Sequence, residues 1–141
     1  MPVARVEELI AAARSACQPF VPLRLTAAAI GFFPTARFPR VVWVGVKDSD
    51  DLLAQLWSVL QSATQPFTQE QPDRDFTGHV TLARLNRLRR EQVEALARAA
   101  RKFEATVFGE WTAAQIEVMR SELSPQGARH SLLAALPLAG T

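Results

Sequence analysis

Cysteine, histidine and glycine are scarce in this sequence, and each shortage removes a class of function. Cys17 is the only cysteine among 141 residues, so no intrachain disulfide can form. It falls on an apolar helical stripe and reads as a small buried hydrophobe. A lone thiol is compatible with a reducing cytosol, and a cytoplasmic protein is expected. The two histidines, His79 and His130, do not make a zinc site with it, because zinc needs three or four converging ligands. No metal is expected. The glycines form no phosphate-cradling loop, and no low-complexity tract or linker interrupts the chain. No apolar run is long enough to span a bilayer. The early Arg5-Glu7-Glu8 cluster, with no long apolar run nearby, does not read as a signal peptide.

What is present suits a folded domain. Hydrophobic residues make up 48% of the chain, an ordinary share for a globular protein of this length. Residues 1–141 read as a single domain. The net charge is only +2, yet the basic residues are uneven. Arg84, Arg87, Arg89, Arg90, Arg98, Arg101 and Lys102 lie close together, opposed only by Glu91 and Glu94. Two readings stand for this run: a solvated helix face, or a positive field that attracts a polyanion such as RNA.

Hydrophobic spacing sets out the elements. Val3, Val6, Leu9, Ile10, Ala13 and Cys17 predict an amphipathic helix over 3–17, ended by Gln18-Pro19. A strand is expected over 20–30, then a turn at Gly31-Phe32-Phe33-Pro34. The run Val41–Val46 is apolar on both faces and predicts an interior strand. Asp50 or Asp51 is expected to cap a helix whose buried stripe is Leu52, Leu53, Leu56, Trp57 and Leu60. A polar loop with Pro66 and Pro72 leads to a strand around His79. Asn86 is a candidate cap for a third helix, with Val93, Leu96, Ala97, Ala100 and Phe103 facing inward. Strands near 104–111, 114–122 and 129–136 follow, the last two joined by a turn at Ser124-Pro125-Gln126-Gly127. Mixed elements with short final turns favour an α+β fold with a largely antiparallel sheet.

The stretch with chemistry is Phe76-Thr77-Gly78-His79-Val80-Thr81-Leu82-Ala83-Arg84. On a regular strand His79, Thr81 and Ala83 share one face, while Val80 and Leu82 form an apolar inner face. An imidazole beside a hydroxyl suits a phosphoryl group: histidine moves a proton near neutral pH and threonine donates to a phosphate oxygen. Trp43 and Trp57 lie in apolar runs and read as core. Phe76 precedes the strand and could line a nucleobase site.

Taken in order, Gly31-Phe32-Phe33-Pro34, Arg40-Val41-Val42-Trp43-Val44-Gly45, Phe76-x-x-His79-Val80-Thr81-Leu82-x-Arg84, Phe108-Gly109 and the segment Arg120 to Arg129 resemble the RNA 2′,3′-cyclic phosphodiesterases. These are also called 2′-5′ RNA ligases, of the two-histidine phosphoesterase superfamily. The resemblance implies a two-lobed α+β fold with mainly antiparallel sheets and flanking helices. It also implies one His-x-Thr/Ser strand per lobe at a central cleft. One histidine is general base and the other general acid, hydroxyls hold the phosphate oxygens, and no metal or nucleotide cofactor is needed. The implied reactions are opening of a 2′,3′-cyclic phosphate to a 2′-phosphate and joining of 2′-5′ linkages. By motif match His79 and Thr81 are the catalytic pair and Arg84 binds the substrate phosphate. Strict alternation turns Arg84 away from His79, so that role requires a bulge or a strand end there; the other reading is a purely surface arginine. Gly78 stands where the family commonly has proline, which should loosen the start of the strand.

The first His-x-Thr pair is missing, since no histidine precedes His79. The expectation is a chain incomplete at its N-terminus, with activity impaired by the loss of one proton-transfer group, typically worth ~10²–10⁴ in rate. A sheet edge left unpaired by the missing strands would invite a dimer. His130 reads either as a strand histidine in an aromatic slot or as a substitute acid. The alternative to an enzyme is a non-catalytic module that binds RNA phosphate ends, or a half-domain that completes itself with a partner chain.

Overall fold

The computed structural model describes residues 1–71 and 76–140. The expected loop residue Pro72 lies outside them. The elements run α1 (Val3–Cys17), β1 (Leu23–Pro34), β2 (Pro39–Lys47), α2 (Leu52–Thr64), β3 (His79–Arg84), α3 (Arg90–Arg101), β4 (Val107–Ala113), β5 (Gln115–Ser124) and β6 (Gly127–Pro137). A single 3-10 turn, Gln65–Phe67, follows α2. The fold is α+β with antiparallel pairing, as the alternation of helical and strand periods predicts. No helix among the described residues is long and apolar enough to cross a membrane.

The chain divides into two compact units. The first takes residues 1–23, 54–71 and 112–140. Here α1 packs on β6, and β5 and β6 form a two-stranded ribbon turned at Ser124–Gly127. Gly127 adopts φ of +117°, a conformation open to glycine. Ala13, Cys17, Leu23, Leu56, Leu136 and Leu138 are buried, so the helical stripe read from the sequence does face a core. The chain end is tied down: Ala139 N donates to Gln18 O at 3.1 Å and Gly140 N to Phe20 O at 2.9 Å. Burial pushes the Cys17 thiol above its ordinary value, which keeps it protonated and inert.

The second unit takes residues 24–53 and 76–111. It holds most of a four-stranded sheet in the order β3-β2-β1-β4, with β2 interior as expected and β3 on an edge. The expected turn at 31–34 is instead the last part of β1, where Gly31 pairs with Trp43 and Phe33 with Val41. Glycine and proline there are not turn punctuation. The Trp43 indole lies where a side chain on Gly31 would be, so the glycine makes room for a ring. The true turn follows at residues 35–38, where Phe38 N donates to Thr35 Oγ1 at 3.1 Å.

Two caps also differ from expectation. Asp48 Oδ2, rather than Asp50 or Asp51, accepts from Leu52 N at 2.6 Å and Leu53 N at 3.3 Å. Its carboxylate can reach because Asp51 turns the chain through φ of +57°. The third helix begins at Arg90, four residues beyond Asn86, where Gln92 Oε1 accepts from Arg89 N at 2.8 Å. Phe103 lies past the helix end, 42% exposed, with its ring 5.7 Å from that of Phe108.

The close approach at Gly31 makes a prediction. Gly31→Ala forces a methyl group into the Trp43 ring and is expected to destabilise the fold by ~1–3 kcal/mol in urea unfolding. An unchanged midpoint would show that the ring moves aside freely.

Candidate active site on the edge strand

The site grows from the pairing of β2 with β3. Gly45 faces His79, Val44 faces Val80 and Trp43 faces Thr81, but Val42 faces Ala83 and Val41 faces Arg84. Leu82 is therefore an extra residue, a bulge in β3. Directly paired residues share a sheet face. Because Gly45, Trp43 and Val41 lie on one side of β2, His79, Thr81 and Arg84 lie on that same side of β3. Ala83, expected beside His79, goes to the other face. The bulge thus meets the condition set by alternation for Arg84 to serve the His79 face.

Several contacts fix the imidazole. His79 Nδ1 lies 2.8 Å from Thr77 O. A carbonyl oxygen only accepts, so Nδ1 carries the proton and Nε2 of the neutral ring is left with a lone pair. Phe33 meets the ring edge-on, centroids 4.9 Å apart at 90°, and Trp43 lies 6.1 Å away at 55°. Phe33 and Trp43 also contact each other at 5.1 Å. Trp43 Nε1 is buried without a hydrogen-bond partner, so its place is set by ring packing. Trp43, read as core, is half-buried and belongs to the wall of this site.

Gly78 does not loosen the start of β3. Its carbonyl accepts from Val46 N at 2.9 Å, and a Cβ there would come within 2.5 Å of Val46 O and 2.9 Å of Leu53 Cδ2. The backbone of β2 and the start of α2 leave no space for a side chain. Tight packing replaces the stiffness that proline would supply.

All of β3 is exposed, including His79, Thr81 and Arg84, so the three are open to a ligand. The expected apolar inner face is open as well, with Val80 50% and Leu82 56% exposed. The Arg84 side chain has no hydrogen-bond or ion-pair partner among the described residues. Phe76 is half-buried and precedes the strand. His130 lies on β6 of the first unit, its Nδ1 2.8 Å from Ser121 Oγ across the ribbon, which fits a strand histidine. No group of three or more His, Cys, Asp or Glu among the described residues could hold a metal.

Sequence reasoning missed Phe33, the Thr77 carbonyl and Leu82. Phe33 had a signal, since β1 residues paired opposite Trp43 and Val41 must share their face. Nothing in the pattern marks Leu82 as a bulge.

An exposed edge strand presents His79, Thr81 and Arg84 from one face on an α+β scaffold. The family model of the 2'-5' RNA ligase superfamily matches residues 1–125, and the chain belongs to that superfamily. It is similar to the RNA 2',3'-cyclic phosphodiesterase of Archaeoglobus fulgidus, 30% identical over 125 residues covering 89% of this chain and 65% of that protein. The protein of the same description from Methanothermobacter thermautotrophicus is 28% identical, covering 87% of this chain and 63% of its own length. This chain thus spans just under two thirds of these curated relatives. A crystal structure of a Thermus thermophilus protein shares the fold with a TM-score of 0.72 at 23% identity, covering 99% of this chain and 73% of that one.

The hydrogen bond to Thr77 makes a prediction about His79. In ¹⁵N NMR at a pH where the ring is neutral, the Nδ1–H tautomer is expected to dominate, against the usual preference of free histidine. A dominant Nε2–H form would remove the free lone pair on which the site's chemistry depends.

Proposed function

We propose that the chain acts on RNA ends by phosphoryl transfer without a metal, hydrolysing a 2′,3′-cyclic phosphate to a 2′-phosphate or joining 2′-5′ linkages. The observation that carries this reading is the alignment of His79, Thr81 and Arg84 on one accessible face. His79 Nε2 takes a proton from water as its oxygen attacks phosphorus. The bond from phosphorus to the 3′ oxygen breaks, and that oxygen leaves with a proton as the 3′-hydroxyl. Thr81 donates a hydrogen bond to a non-bridging oxygen, and Arg84 offsets the charge that builds on the phosphoryl group. Thr81 stands two residues from His79, roughly 7 Å along the strand, a spacing that one phosphate can bridge. Phe76 contacts the terminal base. The names of the relatives support the substrate class, and the single buried thiol fits a cytoplasmic setting.

His79 alone supplies one of two proton transfers, so turnover by this chain is slower than with a paired acid. The open edge of β3, with exposed Val80 and Leu82, favours a second reading in which the site is completed by a partner chain. The phosphate-end reader without turnover is the remaining reading of the same face.

An RNA ending in a 2′,3′-cyclic phosphate, with chelator present, separates these. His79→Ala is expected to lower turnover by ~10²–10⁴ while leaving the fold intact by circular dichroism. Unchanged turnover in that variant would sink the enzymatic reading. Binding without turnover, weakened in the variant, would leave a reader of phosphate ends.

Deleting Leu82 should act like Arg84→Ala, because removing the bulge turns Arg84 to the opposite face. Both are expected to weaken binding of the cyclic end by about tenfold or more, as loss of a charge-assisted hydrogen bond does. Full affinity after deletion of Leu82 would show that the bulge does not serve this site.

A further inference from the structure

A second basic feature of the same unit is used by nothing described so far. A cleft of about 690 Å³ lies between the β1–β2 turn, the β3–α3 connection and α3. Arg37, Arg40, Arg87 and Arg90 line it, opposed by the single carboxylate of Glu94. Glu94 pairs with Arg90 at 3.3 Å, where the arginine side chain is 90% exposed, so the pair neutralises little else. Arg37 stands over the Phe38 ring at 5.7 Å. Arg40 and Arg87 have no hydrogen-bonded side-chain partner among the described residues. Like charges gathered in one concavity disfavour the folded state in the absence of an anion, so stability does not explain the grouping.

The cleft adjoins the phosphate face. Arg84 pairs with Val41, and the next residue continues the ladder, Leu85 N donating to Arg40 O at 2.7 Å. The cleft therefore begins where β3 ends, roughly 15 Å along the strand from His79. Phe38, 69% exposed, offers an aromatic face within it. Arginines that track a backbone, with an aromatic ring on which a base can stack, are the arrangement that binds single strands without sequence preference.

We propose that this cleft holds the single-stranded RNA leading up to the reacting end, its arginines on backbone phosphates and Phe38 beneath a base. The inference rests on the proposed function for the direction of the strand and deepens it. The substrate is an RNA several nucleotides long with an unpaired 3′ segment, bound through its backbone rather than its sequence.

The test compares two-nucleotide and eight-nucleotide RNAs of unstructured sequence, each ending in a 2′,3′-cyclic phosphate, by fluorescence anisotropy with the full chain. The eight-mer is expected to bind at least about tenfold tighter at 50 mM salt and to lose most of that advantage at 200 mM. In the double variant Arg40→Gln, Arg87→Gln the advantage should vanish, with the two-mer unaffected. The slope of log affinity against log salt should fall by about 1.4, two single-strand phosphate contacts. Thermal melting checks that the variant is folded, and Phe38→Ala, outside the charge argument, should cost part of the same length advantage. Equal affinity for both lengths, or a length advantage that survives the double variant, overturns the proposal. An acidic peptide that displaces the eight-mer at matched charge concentration also overturns it, in favour of a protein partner.

The two proposals fail separately. Length-dependent binding that needs the arginines, with no preference for a cyclic end over a 3′-hydroxyl, supports the cleft and removes the catalytic reading. A cyclic-end preference lost in His79→Ala, with no gain from length, does the reverse.

Discussion

One inserted residue decides which side chains of β3 share a face. Without Leu82, β3 would alternate strictly from His79 onward, and the guanidinium of Arg84 would lie on the far side of the sheet from the imidazole. Regular strands put every second residue together, so they cannot align positions separated by five. The bulge resolves that parity conflict at the cost of one unpaired ladder position, and it does so at a sheet edge, where bulges are tolerated best. The mismatch in β1 is of the same kind. Ala29, between the pairs Ala28↔Gly45 and Ile30↔Val44, takes φ of +65° and donates to Thr106 O at 3.3 Å, which links the bulge toward β4.

The edge position carries a conflict of its own. An open strand with exposed apolar residues is prone to pair with another chain, and Val80 and Leu82 are such residues. Accessibility of His79, Thr81 and Arg84 requires an uncovered strand, so the liability and the proposed function share a cause. Rigidity must then come from β2 and β1 alone. Trp43 over Gly31 (ring on backbone), Phe33 against His79 (ring on ring) and Gly78 against Val46 (backbone on backbone) supply it. Aromatic support suits this place, since rings bury much area while ordering few torsions.

Much of this is legible in the sequence, and the rest is hidden for physical reasons. The three helices and six strands among the described residues follow from the periods of apolar residues, and the ordered motifs point to the family. The errors fall where one residue type serves two purposes. Gly31 reads as a turn because glycine permits turns, yet here it permits contact with Trp43, which depends on a residue twelve positions away. Asp48 is the cap because Asp51 takes a left-handed conformation, and nothing local distinguishes three aspartates in four positions. The bulge at Leu82 is a property of the β2–β3 register, not of either strand. Hydrophobicity alone puts Trp43 in the core, whereas its parity with Gly45 puts it on the His79 face.

The basic run from Arg84 to Lys102 shows how the fold divides a feature that composition leaves undivided. Arg98 and Arg101 sit in the last turn of α3, where the exposed carbonyls of the helix end favour positive charge, so a solvated structural role accounts for them. Arg84 turns to the His79 face through the bulge. Arg87 and Arg90 turn instead to the cleft and meet Arg37 and Arg40, which come from a segment some fifty residues earlier. The two readings of the run therefore fall to different residues. A net charge of +2 conceals this, because the acidic residues that balance the sum lie elsewhere along the chain. The proposed attraction of a polyanion rests on the local excess of arginine at one end of β3, and that excess lies next to the strand proposed to do phosphoryl chemistry.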